Sequence, residues 1–382
     1  MKHNRKIIYL AGFLFSIPIA LTSYINSSFL EGYINAYYVS ILYVLSSVLT
    51  IIGMLQMEKI LLRLGNRRAT LWFSIILFFS LLLLAIGTNQ LIIIPAFVLY
   101  WISASFIIAT LDIFVEDFSK NSAIGRFRGF YLSIINVAWV LAQMLSGSII
   151  AKSSFQGIYL ISAMFMLLVV LIFVFFFHNF IDPKYKRVSI AKTIRLFIRN
   201  RNISKIYFID LIIKFFYAWM VIYTPIYLNE YLGFSWGQIG FIFTIMLVPF
   251  VVLSFPLGKL SDKIGEKKIM ITGFLIMSLS TLAIPLITQS KVWLWVLILL
   301  CTRIGAAAAE AMAESYFFKV ISEEDADEIS FFRNISPVAY IIAPLLAIPV
   351  LFFIPSFKYL FFVLGAILLS AFFLSLRLKD VK

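Results

Sequence analysis

Apolar residues gather into runs of about 20 along this chain, and short polar stretches separate one run from the next. A run of that length crosses the hydrocarbon of a bilayer as a helix. Twelve spans are predicted, near residues 7–27, 37–57, 69–87, 91–116, 128–151, 156–178, 203–228, 235–257, 269–288, 292–318, 333–353 and 356–376. Barrel strands would alternate apolar and polar positions and run about 10 residues. The predicted fold class is therefore an all-α membrane protein. The first span follows Lys2, Arg5 and Lys6, as a signal peptide would. It is longer than a secretory apolar region and lacks a clear small-residue cleavage site, so it reads as a retained helix. The longest polar interval splits the spans six and six. This predicts an N-terminal bundle over 1–178, a cytoplasmic linker over 179–202 and a C-terminal bundle over 203–382. In the linker, Ile190, Ile194, Phe197 and Ile198 keep helical spacing while Lys192, Arg195 and Arg199 take other faces, the pattern of a short amphipathic helix on the inner leaflet.

Composition agrees with the pattern. A soluble domain is about half apolar and about a quarter charged, whereas this chain is 62% hydrophobic and 13% charged. Its formal net charge of +14 raises the question of nucleic acid. Placement answers it. Of the 32 Lys and Arg, 27 fall on the side of the N-terminus, Lys152, Lys291 and Lys358 on the other, and Lys214 and Arg303 within spans. That bias places both termini in the cytoplasm, in a plasma or bacterial inner membrane. The basic face would attract anionic lipid headgroups, and no nucleic acid is needed. The single cysteine, Cys301, excludes an intrachain disulfide. His3 and His178 lie at span ends, so no metal cluster, cofactor site or intramembrane catalytic histidine is expected, which argues against an enzyme.

Prolines interrupt several spans: Pro18, Pro95, Pro225, Pro249, Pro256 and Pro285, with Pro337, Pro344 and Pro349 in the eleventh. Each removes a backbone hydrogen bond and favours a kink. The run Gly305-Ala306-Ala307-Ala308-Ala309 predicts close helix packing.

Ionisable residues inside spans cost roughly 2.5–3.5 kcal/mol each and call for a partner or a wet cavity. In the tenth span Arg303, Glu310 and Glu314 share one helical stripe. Arg303 lies about 16 Å from the outer end, near mid-depth. It would bind an anionic group or act on Glu310, a candidate proton acceptor, and packed ion pairing is the plainer reading. In the seventh span Asp210 and Lys214 are spaced i,i+4, which allows a pair on one face. They would form part of the cavity or of an inner gate, or Lys214 would neutralise Asp210 while reaching for the interface. Asp210 is the second candidate for the coupling carboxylate after Glu310. Asn26, Asn136 and Gln143 are polar positions that either meet substrate or satisfy a neighbouring helix. At the inner end of the fourth span stand Asp112, Glu116 and Asp117.

The charged stretch Gly258-Lys259-Leu260-Ser261-Asp262-Lys263-Ile264-Gly265-Glu266-Lys267-Lys268 reads as a glycine-bounded turn between two apolar runs. A weaker copy 200 residues earlier has Lys59, Arg63, Gly65, Arg67 and Arg68, with Glu58 and Leu62 where the later copy has Gly258 and Asp262. This pattern resembles the cytoplasmic loop motif of the major facilitator superfamily of transporters. The resemblance covers the whole chain: twelve spans, a six-plus-six split and two basic turns in corresponding places. It implies two pseudo-symmetric six-helix bundles with a substrate site at mid-depth, lined by the first, fourth, seventh and tenth helices. Arg303, Asp210 and Lys214 would then be within reach of that site.

The resemblance also implies an inner latch, in which Arg67 and Arg68 meet Asp112 or Glu116, and Glu314 meets Lys267 or Lys268. Asp262 would sit beside Arg128 at the start of the fifth helix. That helix lacks the Gly-x-x-x-Gly-Pro of drug/proton antiporters, and the arginine and glutamine motifs of sugar porters are also missing. The expected function is secondary active transport of a small solute, coupled to a proton, by a chain that is complete as a monomer. Alternatives are a uniporter or an anion exchanger using Arg303 and Lys214, or a transporter-like solute sensor. Sensors usually carry a signalling tail, whereas this chain stops shortly after Arg377.

Overall fold

The computed structural model describes residues 2–119, 124–178, 180, 201–320, 332, 335–353 and 355–379. The linker helix expected over 179–202 therefore lies almost wholly outside the described residues. Helices come in the order α1 (Lys2–Ser23), α2 (Asn26–Glu31), α3 (Ala36–Met54), α4 (Met57–Leu64), α5 (Asn66–Ile86), α6 (Gln90–Ser119), α7 (Ile124–Lys152) and α8 (Phe155–Phe175). They continue with α9 (Arg201–Ile226), α10 (Trp236–Val252), α11 (Ser254–Ile264), α12 (Glu266–Ala283), α13 (Val292–Val320), α14 (Ile335–Phe353) and α15 (Leu360–Leu376). Eleven helices among the described residues are long and apolar enough to cross a membrane, and Trp236–Val252 is a shorter apolar twelfth.

The chain divides into two compact units, 1–187 with Ser235–Phe241, and 188–234 with 242–382. Their internal packing repeats. In the first unit α5 packs on α6 and α8, and α1 packs on α7 and α8. In the second, α12 packs on α13 and α15, and α9 packs on α14, α13 and α15. The fold is thus one six-helix arrangement used twice.

Three boundaries differ from the sequence reading. The first span breaks at Tyr24 and Ile25 before α2 resumes. Thr22 donates its hydroxyl to the Pro18 carbonyl at 2.8 Å, a local bond that competes with the helix ladder. The second and eighth spans end early, at Met54 and Val252. Beyond each end the basic motif is helical rather than a turn, and Gly258 lies inside α11. The reason is amphipathic spacing. Met57, Ile60, Leu61 and Leu64 gather on one side of α4 while Lys59 and Arg63 take the other.

Each amphipathic helix ends at a glycine with positive φ, Gly65 at 74° and Gly265 at 85°. That glycine also caps the next long helix. The expected close packing of the tenth span is present. A Cβ added at Gly305 would meet the Gly273 carbonyl oxygen and the Met277 backbone nitrogen at 2.6 Å, so α12 and α13 touch backbone to backbone.

Candidate functional site

The second unit buries charge between α9 and α13. Lys214, on α9, forms an ion pair with Glu310 Oε1, on α13. Tyr217, one turn further along α9, donates its hydroxyl to Glu310 Oε2 at 2.8 Å. Both oxygens of Glu310 are therefore engaged. The guanidinium of Arg303 lies over two rings of α9, 5.0 Å from the Phe216 centroid and 5.5 Å from that of Tyr217. Arg303 is 1% exposed. The side chains of Lys214 and Glu310 remain 21% and 22% exposed, so the pair is the accessible part of the cluster.

The i,i+4 spacing of Asp210 allows a pair with Lys214, but the ammonium reaches across to Glu310 instead. Asp210 is 1% exposed, and its Oδ1 is buried without a hydrogen bond. It still feels the charges of Lys214, Glu310 and Glu314. The spacing fixed a common face. It could not show that a carboxylate on another helix would meet the same ammonium.

The first unit has a neutral counterpart. Thr22 Oγ1 and the Tyr100 hydroxyl lie 2.7 Å apart. Asn26 Nδ2 donates to Tyr100 at 3.5 Å, and Tyr159 donates to Asn26 Oδ1 at 2.7 Å. Gln143 donates to the Ala20 carbonyl. Asn26 and Gln143 thus satisfy neighbouring helices, while Asn136 is half-buried on α7.

Arg67 donates from Nε to the Phe176 carbonyl at 2.9 Å and from Nη2 to the Val174 carbonyl at 2.8 Å. It also lies 3.1 Å from His178 Nε2. It therefore closes the C-terminal end of α8, where a cation is favoured. Arg68 and Lys268 are exposed, and Lys267 and Asp112 are half-buried. The charge of Asp112 reaches Tyr131, and that of Glu314 reaches Asp210 and Lys214. The side chains of Glu116, Asp117, Arg128 and Asp262 lie outside the described residues.

Sequence reasoning missed Glu266. This residue is 3% exposed at the start of α12. It accepts from Lys319 at 2.6 Å and from Ser315 at 3.2 Å, both on α13. Tyr217 was also missed. Its place three residues after Lys214 on the same helix was the available signal. Among the described residues no group of three His, Cys, Asp or Glu could hold a metal ion.

Comparison with known proteins adds two findings. The family model of the Major Facilitator Superfamily matches residues 8–237 and again 216–382. The crystal structure of a mutant of the nucleoside transporter NupG is similar with a TM-score of 0.79 and 12% sequence identity, covering 98% of this chain and 99% of that one. At that identity the likeness shows the fold. No curated protein matches by sequence.

Proposed function

The chain belongs to the Major Facilitator Superfamily, and from that premise we propose that it is a secondary active transporter that couples a small solute to a proton by alternating access. It is an integral membrane transporter with a small-molecule substrate, and not an enzyme. The observation that carries the proton is the Lys214–Glu310–Tyr217 group with Asp210 beside it. Ionisable groups inside a transporter's spans mark proton and substrate paths. Internal structural repeats with a site near mid-depth are a common framework for alternating access. The same reading puts both termini in the cytoplasm of a plasma or bacterial inner membrane. It gives the basic motifs that hold Gly65, Arg67, Arg68, Gly258, Asp262, Gly265, Lys267 and Lys268 the role of a cytoplasmic gate, with Asp112, Glu116, Arg128 and Glu314. The chain acts as a monomer.

An anion exchanger built on Arg303 and Lys214 is less well supported. Arg303 is covered by two aromatic rings, and Lys214 is committed to a carboxylate. NupG is a nucleoside transporter by name, but 12% identity carries no substrate to this chain.

The test is proton flux in proteoliposomes, with anionic, cationic and neutral solutes added in turn. Solute-dependent proton movement is expected in the wild type and is expected to be lost in Glu310→Gln. Solute flux that persists unchanged after the pH gradient is collapsed would refute the coupling.

A further inference from the structure

Two carboxylates compete for one ammonium on α9. Glu310 has Lys214 on one oxygen and Tyr217 on the other. Asp210, one turn before Lys214 on the same helix, is more deeply buried and has a bare Oδ1. The helices packed on α9 are α13, α14 and α15. From α13 the cluster takes Arg303, Glu310 and Glu314, with Tyr316 and Lys319 further along. The only titratable group on α14 is Tyr340, and α15 carries none. On α9 itself the neighbours of Asp210 are Tyr207, Lys214 and Tyr217. An anionic carboxylate held out of water with a bare oxygen is costly, and neutralisation is the common remedy.

Lysine has the means to serve both groups. Its ammonium has three donors on a flexible four-carbon stem, and i,i+4 spacing keeps Asp210 on its own helix face. We propose that Asp210 is the proton-carrying carboxyl and that Lys214 alternates between Glu310 and Asp210. While Asp210 is protonated, the ammonium stays on Glu310, as in the present structure. When the Asp210 O–H bond breaks, its electron pair remains on oxygen and the proton passes to water. Lys214 then turns back onto the new anion, and no other bond changes. Glu310 and the Tyr217 hydroxyl are left open to a hydrogen-bond donor of the solute. This inference rests on the proton-coupled reading and deepens it by separating the proton carrier, Asp210, from the solute-facing Glu310.

Infrared spectroscopy of the full chain in lipid vesicles reads the protonated carboxyl directly. A carboxylic-acid C=O band is expected in the wild type at neutral pH and lost in Asp210→Asn; in Glu310→Gln the ammonium is free to turn onto Asp210, so the band should shrink or vanish there as well. Asp210→Glu should keep the band at a moved frequency, which covers the case of an asparagine variant that does not fold. Lys214→Gln removes the shared cation, so the ionised carboxyl loses its ion-pair partner and the band should grow, by up to about twofold. A band kept in Asp210→Asn, or one whose frequency moves in Glu310→Asp and not in Asp210→Glu, would overturn the assignment, as would no band in the wild type. An unchanged band in Lys214→Gln would overturn the sharing. The spectra involve no transport, so solute flux that ignores a pH gradient would sink the coupling and leave the spectral result standing.

Discussion

The two units carry different chemistry on corresponding helices. In the first, the span formed by α1 and α2 meets α6 and α8 through Thr22, Asn26, Tyr100 and Tyr159, all neutral and at most 2% exposed. In the second, α9 meets α13 through Lys214, Tyr217, Glu310 and Arg303, and the central ion pair is about a fifth exposed. A closed neutral network has one satisfied arrangement and fixes how its helices meet. A charged cluster in which one ammonium, that of Lys214, can serve either Glu310 or Asp210 has more than one. The repeat thus supplies the same scaffold twice, and the unlike residues divide rigidity from switching.

The largest effect should come from breaking the charged side. Glu310→Gln takes its ion-pair partner from a half-buried ammonium, which costs roughly 3 kcal/mol or more in a buried pair and less here, where the pair is partly wet and Asp210 can take the ammonium. Replacing both partners, Lys214→Met with Glu310→Met, should recover most of that stability, since apolar replacements of a buried pair are often neutral. Thermal unfolding in detergent measures both variants, and transport should fail in both. If the double variant is no more stable than the single, the pair is not the unit of stability that the geometry indicates. Tyr217→Phe comes next. It removes one hydrogen bond to a charged group, about 2 kcal/mol, and should lower coupled flux about tenfold without abolishing it.

On the neutral side, Asn26→Ala strips partners from Tyr100 and Tyr159 at once. A stability loss of about 2 kcal/mol is expected, with the pH dependence of transport unchanged. A shifted pH profile in this variant would end the division of labour between the units.

Much of this was legible in the sequence for a simple reason. Hydropathy over about 20 residues reports burial in lipid, and lipid is the solvent that decides these helices. The two basic turns announced the repeat, since Gly65 and Gly265 fall at corresponding places. The partners of buried charges were harder to read. Spacing along α9 puts Asp210, Lys214 and Tyr217 on one face, but which carboxylate meets the ammonium depends on how α13 is set against it. Arg67 is the same case. Its motif suggested an acidic partner, whereas the structure gives it the Val174 and Phe176 carbonyls, acceptors that no residue name reveals. Amphipathicity over eight residues was read as a turn because the glycine and the charges drew more weight than Ile60, Leu61 and Leu64.

The smallest expected effect tests the repeat itself. Gly65 has φ 74° and ψ 160°, and Gly265 has φ 85° and ψ 149°, a region open to almost no residue but glycine. In both places the glycine nitrogen donates back into the amphipathic helix, to Leu61 at 2.8 Å and to Ser261 at 2.9 Å. A Cβ at Gly265 would meet nothing within 4 Å. The penalty for Gly265→Ala is therefore one of backbone conformation, about 1 kcal/mol at the low end for such strain. Gly65→Ala should cost a similar amount, and the double variant should lose the sum, because the turns belong to separate units and share no partner. Unequal losses in thermal unfolding would mean that the two turns share a shape without sharing a structural role. Equal losses that fail to add would mean that the two turns are energetically coupled.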